Sequence, residues 1–354
     1  MARQAGIKMI VSFAVAGLIG ITCVPALAAT DIREGPSATE YGSFGQSMNL
    51  ADRGLTVGGY ASVQYQDLHN KEAHLSLSHL SMFVWWESES RLKFFSEIDA
   101  QGLLSSVSRH EENERHYLSV ERLYFDYAFN DSLTLRAGKY LTPIGRWNQG
   151  HADPLVWTTS RPMITRDLFP TNATGLMATG NLSLFARPIE YIVFASTGNE
   201  LRPDPDQDPF NSSYGVRLNI PITDNVQLGW SYASFDQLAM REERKTLYGA
   251  DFTWSSPHID LSGEAIYRKS NAGGMRDAKG GFLQSVIPLQ ERLWAVARVE
   301  AMRDPESPDL HKQMVLGVNY RYGPATLLKL EFLHGFGGDQ MAPKGLLSSV
   351  SVLF

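Results

Sequence analysis

The stretch that decides the fold is Leu346-Leu347-Ser348-Ser349-Val350-Ser351-Val352-Leu353-Phe354. Its residues alternate between apolar and small polar types and end on an aromatic ring, which predicts a strand whose sheet has one apolar face. In a bilayer, every backbone N–H and C=O must be paired within the protein, so a sheet can cross only when its last strand pairs with its first. The stretch therefore predicts the closing strand of a transmembrane β-barrel.

The beginning of the chain predicts export. Arg3 and Lys8 are followed by a short apolar run from Ile10 to Ile21, and Ala26-Leu27-Ala28 forms a small-x-small cleavage site. We predict that residues 1–28 are a signal peptide, because the run is too short to span a bilayer comfortably and the cleavage site follows directly. The alternatives are a transmembrane helix, a buried core helix and a lipoprotein anchor at Cys23.

Composition after this cleavage excludes several classes of protein. The remaining 326 residues lack cysteine, and the loss of Arg3 and Lys8 takes the net charge from −6 to −8. An acidic surface argues against a nucleic-acid partner. No later segment has 18 consecutive apolar residues, so helical membrane spans are not expected. The hydrophobic share of 43% is ordinary, and only alternation can reveal a barrel, since every second residue faces lipid.

Alternating segments of about ten residues recur from Leu55 onward, which is the length that a tilted membrane strand needs. We predict an all-β chain: residues 54–354 form an antiparallel barrel of about sixteen strands, preceded by a periplasmic lead over residues 29–53 that is either disordered or folded into the lumen. The predicted strands are 54–66, 74–87, 90–101, 116–129, 132–142, 174–185, 188–198, 211–221, 224–236, 243–255, 258–270, 276–287, 290–302, 311–322, 325–336 and 345–354.

The connections alternate between short and long, as periplasmic turns and outer loops of a barrel do. A soluble β-sandwich or propeller would not be expected to keep this alternation. Aromatic residues near the tight turns suggest a girdle at the lipid interface rather than a soluble core. These aromatics are Tyr127, Phe129, Trp254, Tyr320 and Tyr322. The predicted tight turns are Ser88–Glu89, Asn130–Asp131, Ala186–Arg187, Ile222–Thr223, Ser256–Pro257, Pro288–Leu289 and Gly323–Pro324.

The longest connection, residues 143–173, is the third outer loop and is too apolar to be freely solvated. A barrel of about sixteen strands leaves an aqueous channel, so we predict that this loop folds inward and constricts it. A surface loop that closes the barrel mouth or meets a neighbouring subunit is the alternative. The candidate constriction residues of the loop are Arg146, His151, Asp153, Arg161 and Arg166.

The strand faces assigned to the lumen carry basic and acidic residues in nearly equal number, among them Arg122, Asp126 and Arg136. Charges are costly on the lipid face, so this pattern favours a polar lumen. Most of these residues are expected to pair across strands. Rings of one sign would confer ion selectivity, and the sequence does not show such a ring clearly.

Two segments resemble the phosphate-selective porin O/P-like superfamily: Glu121-Arg122-Leu123-Tyr124-Phe125-Asp126-Tyr127 and Leu135-Arg136-Ala137-Gly138-Lys139-Tyr140-Leu141-Thr142-Pro143-Ile144-Gly145. The resemblance spans roughly residues 115–150, where Arg136, Gly138, Lys139, Pro143 and Gly145 match the motif. It implies a trimeric sixteen-stranded porin with an infolded third loop. The chain lacks the dense lumenal lysines and arginines of phosphate-selective members, so anion specificity is not carried over. Alternation puts Lys139 opposite Arg136, so it must snorkel at the strand end or turn inward.

The sequence carries no recognisable Ser/His/acid signature, although some outer-membrane barrels are lipases or proteases. It also carries no clustered His or Cys spacing and no phosphate-binding glycine loop, so we expect neither an enzyme nor a metal or other cofactor. The prediction is an outer-membrane porin for passive diffusion of small hydrophilic solutes or ions, with outer-membrane lipid as its surroundings. A substrate-specific channel and a non-conducting anchor barrel are the alternatives.

Overall fold

The computed structural model describes residues 54–87, 91–104, 117–130, 132–183, 187–198, 200–239, 243–271, 276–303, 309–336 and 341–354, together with the backbone of residues 48–50. The predicted signal peptide and most of the predicted lead lie outside these residues and stay predictions. The segment Met48–Leu50 pairs antiparallel with Leu55–Val57. Among the described residues, no helix combines the length and apolar character that crossing a membrane would require.

Sixteen long strands within the described residues form one antiparallel sheet. Each strand pairs with its neighbours in sequence, and the last pairs with the first, where Leu353 lies opposite Tyr60. The prediction of a closed barrel is confirmed. The strands are β1 Leu55–Leu68, β2 His74–Glu87, β3 Leu92–Gln101, β4 Tyr117–Asn130, β5 Leu133–Leu141, β6 Asn172–Leu182, β7 Ile189–Ser196, β8 Phe210–Thr223, β9 Val226–Gln237, β10 Lys245–Ser255, β11 Asp260–Ser270, β12 Ala278–Gln290, β13 Leu293–Arg303, β14 His311–Arg321, β15 Thr326–Phe336 and β16 Gly345–Leu353.

Alternation separates the two faces of this sheet, since successive side chains of a strand point to opposite sides. On β15, Lys329 and Glu331 are buried inside the barrel, whereas Leu330 and Phe332 are about half exposed on the outside. The aromatic residues predicted to form the girdle are also exposed on the outer surface. The apolar outer face and the polar lumen therefore follow from the period of two.

Two predicted turns are wrong by a few residues. Ile222–Thr223 and Pro288–Leu289 lie inside β8 and β12, and the turns follow at residues 224–225 and 291–292. Asp224 and Asn225 are turn-forming residues, so the chain reverses there. Pro288 is accommodated next to a register shift near the end of its strand, where a missing N–H costs little.

Candidate functional site

The connection between β5 and β6, residues 142–171, folds into the lumen as predicted. It contains a short 3₁₀ helix, Trp147–Gly150, and a short α-helix, α1, Met163–Asp167. Side chains of the loop that are almost completely buried join one apolar cluster with side chains of the barrel wall; these are Ile144, Met163, Ile164 and Leu168 from the loop, and Phe235, Ile266, Phe282 and Met302 from the wall. The loop is thus packed against the inner wall rather than suspended in the channel.

Three wall carboxylates accept hydrogen bonds from the backbone of this loop. Glu264 on β11 accepts from the N–H of Trp147. Glu300 on β13 accepts from the N–H of Met163, the first residue of α1, at 2.7 Å. Glu331 on β15 accepts from the N–H of Thr159, and from the N–H and hydroxyl of Ser160 at 3.1 and 2.7 Å. Hydrogen bonds to charged groups are about twice as strong as neutral ones, so these contacts fix the loop firmly.

Three wall cations donate to the same loop. Arg298 donates to the Thr158 hydroxyl at 2.6 Å and to the carbonyl oxygen of Ser160 at 2.9 Å. Lys329 donates to the Asp153 carbonyl at 2.6 Å, and Arg268 donates to the Leu168 carbonyl at 2.9 Å. The sequence places these six charged residues on the lumenal face, but it does not reveal that they hold the backbone of the loop. That role depends on contacts between residues a hundred or more positions apart.

Two glycines of the superfamily motif have conformations that favour glycine. Gly145 has a φ of +65°, and a Cβ there would overlap the carboxylate of Glu264. Gly138 has a φ of +136°, and a Cβ would overlap the backbone carbonyl of Leu123 on β4. Glycine pays no steric cost in either position. The motif is therefore explained by the close approach of the loop and of β5 to their neighbours.

Of the predicted site residues, Arg122, Asp126 and Arg136 lie on the inner wall of β4 and β5. Arg136 forms a bidentate ion pair with Asp126, its cross-strand neighbour, with distances of 2.7 and 2.8 Å. Its guanidinium lies 3.6 Å from the ring centroid of Tyr124. Arg122 bonds Glu97 on β3 at 2.6 Å. Both arginines are neutralised by wall carboxylates.

Lys139 and Arg146 bind other loops and strands. The ammonium of Lys139 lies 2.7 Å from Glu200 in the connection between β7 and β8, and only 2% of the side chain is exposed. It also donates to the carbonyls of Leu201 and Arg202 at 3.0 and 3.2 Å. Lys139 is therefore held at the strand end by this neighbouring loop. Arg146 donates to Gln227 on β9 at 3.0 Å.

His151 connects the loop to β4. Its Nε2 lies 3.3 Å from Glu121, and its ring stacks on Trp147 with a centroid distance of 6.0 Å. Glu121 sits in the interval where the β3–β4 register shifts. This carboxylate belongs to the motif, but the sequence alone does not indicate its histidine partner.

Arg161 and Arg166 bond mainly within the loop. Arg161 donates to Asn148, to the Thr165 carbonyl and to Thr171, at 2.8 to 3.0 Å. Burial lowers the pKa of Arg161 to about 10. Arg166 pairs with the adjacent Asp167 at 2.9 Å and also donates to the Met341 carbonyl.

The side chain of Asp153 is half-buried, and its carboxylate lies close enough to His79 on β2 to interact electrostatically. His79 also bonds Asp99 on β3 at 2.7 Å and keeps 28% of its side chain exposed. The sequence does not single out His79, because one histidine on a strand carries no distinguishing pattern.

No family model matches this sequence. The chain is 31% identical over 222 residues to an uncharacterized protein of Aquifex aeolicus (strain VF5), a match that covers 58% of this chain and 49% of that protein. The chain thus spans about half the length of the curated relative it matches.

Solved porins have a similar fold. The structure of Salmonella typhi OmpF in complex with daunomycin has a TM-score of 0.66 at 9% identity, covering 87% of this chain and 100% of that chain. The anion-selective porin from Comamonas acidovorans has a TM-score of 0.61 at 13% identity, with the same coverage. OmpT of Vibrio cholerae in its trimer form has a TM-score of 0.60 at 7% identity, covering 85% and 99%. These likenesses show that the chain has a porin-like β-barrel fold.

Proposed function

We propose that the chain is an outer-membrane porin through which small hydrophilic solutes and ions diffuse passively. The observation that carries this proposal is the loop 142–171, which is packed and hydrogen-bonded across the lumen of a closed barrel. A sixteen-stranded barrel has a lumen wide enough for water, and an inner loop fixed at this depth sets an upper limit on solute size. The proposal is a channel rather than an enzyme, located in the outer membrane after export by residues 1–28.

The proposed path runs between the loop and the wall formed by β2 and β3. The hydrogen bonds described above attach the loop to β11, β13 and β15, on the opposite side. On the β2–β3 side, His79 bonds Asp99 and also interacts electrostatically with Asp153 of the loop. We propose that these three residues line the narrowest passage, with the predicted residues Arg136, Arg146, Arg161 and Arg166 influencing the potential nearby.

The test is single-channel conductance of the refolded chain in a planar bilayer. Deleting loop residues 150–165 should raise the conductance, because the obstruction in the lumen is removed. A matched control deletes residues 69–73 of the first outer loop and should leave conductance near that of wild type. An unchanged conductance after the deletion of 150–165 would remove the loop from the constriction.

A substrate-specific channel for phosphate or other anions is the finer alternative, supported by the motif resemblance over residues 115–150. A reversal potential of anionic sign under a salt gradient would favour it. A non-conducting anchor barrel would instead give no current from a properly folded, heat-modifiable sample. We also propose a homotrimer, which crosslinking of the protein in native membranes would test.

A further inference from the structure

Four basic side chains lie on the outer face of the barrel, at the ends of β11 to β14 that carry the long loops. They are Lys269, Lys279, Arg303 and Lys312, one on each of four consecutive strands, and all four are exposed. Their inward-pointing neighbours Arg268, Ala278, Met302 and His311 are buried, so alternation fixes the outward direction of the four cations.

These four cations have no ion pair or hydrogen bond with any residue that the structure describes. Lys279 and Arg303 are also direct cross-strand partners on the same face. Like charges in this position repel and destabilise a sheet. Asp277, which precedes β12, is engaged by the Tyr267 hydroxyl and the Ser270 N–H. The arrangement therefore leaves a positive strip that an external anion would stabilise.

The position of the strip along the membrane normal is indicated by two exposed tyrosines on β10 and β11. Tyr267 lies opposite Lys279 across the strands, and Tyr248 lies opposite Tyr267; both tyrosines are exposed on the outer face. Exposed tyrosines mark the interface between acyl chains and headgroups. Lipid-facing cations are strongly unfavourable at the bilayer midplane but tolerated near the interface. The strip thus lies at the level of lipid headgroups.

The surface beneath the strip is apolar on the same strands. Leu283, Val299 and Leu316 are about half exposed on the outer faces of β12, β13 and β14. A ligand with anionic groups above and hydrocarbon chains below would contact both parts of this surface. A free inorganic anion would contact only the cations.

We propose that Lys269, Lys279, Arg303 and Lys312 bind the phosphate groups of a phosphorylated lipid in the outer leaflet. Arginine and lysine form charge-assisted hydrogen bonds with phosphate, and the guanidinium of Arg303 presents two parallel donors. The bound phosphate separates Lys279 from Arg303 and removes their repulsion. This site depends on the barrel fold and its membrane location, and it is independent of what passes through the lumen.

The experiment titrates the folded full chain in detergent micelles with lipid A that carries both phosphates, and with dephosphorylated lipid A. Native mass spectrometry measures the bound fraction. The wild type should prefer the phosphorylated form. The double variant Lys279→Gln/Arg303→Gln should bind it roughly thirtyfold more weakly, since each cation near an anionic surface contributes about one kcal/mol.

The control Lys71→Gln/Arg292→Gln removes the same charge from exposed positions in the first outer loop and in the turn between β12 and β13, and should bind like wild type. Heat-modified gel mobility verifies folding, and Lys269→Gln/Lys312→Gln replaces the first variant if it does not fold. Equal binding of both lipid forms would overturn the proposal. Wild-type binding by the folded variant would also overturn it, as would competition by inorganic phosphate at the same concentration as the lipid.

Discussion

A single glycine determines how closely the infolded loop approaches the barrel wall. Gly145 has a positive φ and lies against the carboxylate of Glu264, which accepts a hydrogen bond from Trp147 two residues later. A side chain at this position would strain the backbone and displace the carboxylate at once. Either effect would break the hydrogen bond between Trp147 and Glu264, so even a methyl group at position 145 should weaken the attachment of the loop.

Gly145→Ala should lower the free energy of unfolding by at least about 1–2 kcal/mol, the cost of a left-handed conformation for a residue with a Cβ. Gly150→Ala is the matched control, because a Cβ there has no neighbour within 4 Å, and its effect should stay within about 0.5 kcal/mol. Urea unfolding monitored by tryptophan fluorescence measures both variants. Equal free energies of unfolding for the two variants would show that the loop backbone at Gly145 can adjust to a methyl group.

Glu331 accepts three hydrogen bonds from one short part of the loop, one from Thr159 and two from Ser160. Glu331→Ala should release this part of the loop, because charged hydrogen bonds contribute about 1.5–3 kcal/mol each. The expected result is added current noise and frequent subconductance levels in single-channel recordings. Glu291→Gln, in an exposed turn, is the control. A Glu331→Ala recording with no more current noise than the wild type would show that the other contacts are sufficient to hold the loop in place.

At the scale of elements, the strands could be predicted from sequence and the contacts of the loops could not. All sixteen strands lie within three residues of their predicted bounds, because the alternation of apolar and polar residues is local and repeats on every strand. The inward direction of residues 142–171 could also be predicted from their apolar content. The partners of this loop, Glu264, Glu300 and Glu331, could not be predicted. No local sequence pattern distinguishes a wall carboxylate that bonds a loop from one that bonds an adjacent strand.

The connection between β7 and β8 should loosen as the pH rises. Burial raises the pKa of Glu200 and of Asp204 above that of an ordinary carboxyl group. Acids with a raised pKa in the folded state stabilise it fully below their unfolded pKa and lose that contribution as the pH rises through the folded value.

Hydrogen exchange of the non-proline amides within residues 200–209, corrected for intrinsic rates, should therefore show falling protection from pH 4 upward, and Glu200→Gln/Asp204→Asn should flatten this slope. Asp224→Asn, in an exposed turn, should retain it. A slope that survives in the double variant would assign the pH dependence to other groups.

At the scale of the whole molecule, the charged side chains of the lumen differ in the kind of partner that they pair with. The ion pairs of the described residues neutralise Arg122, Arg136, Arg217 and Arg298 with carboxylates. By contrast, Asp99 and Glu121 are paired with histidines, and Asp153 interacts electrostatically with one of these histidines, His79. A histidine balances a carboxylate only when it is protonated. The passage between the loop and this part of the wall therefore gains negative charge when its histidines lose their protons.

We expect a reversal potential of cationic sign for the wild type under a salt gradient at a pH at which its histidines are neutral, because carboxylates in a narrow passage attract cations. Asp153→Asn should reduce the cation preference, whereas Asp224→Asn, whose side chain is 88% exposed in a turn, should not. An anionic preference in the wild type would contradict this assignment and favour the alternative of a phosphate-type channel.

The seam between β1 and β16 has a consequence for how the chain reaches this state. The hydroxyl of Ser62 donates to that of Ser351 at 2.9 Å, although the two residues are 289 positions apart in the sequence. Contacts so distant in sequence slow folding, because chain entropy is lost before any pairing is gained. Until the seam forms, both of its strands present unpaired edges that invite association with other chains. The chain is therefore prone to aggregate until this last pair of strands forms. A folding catalyst would act most effectively by holding these two edges together.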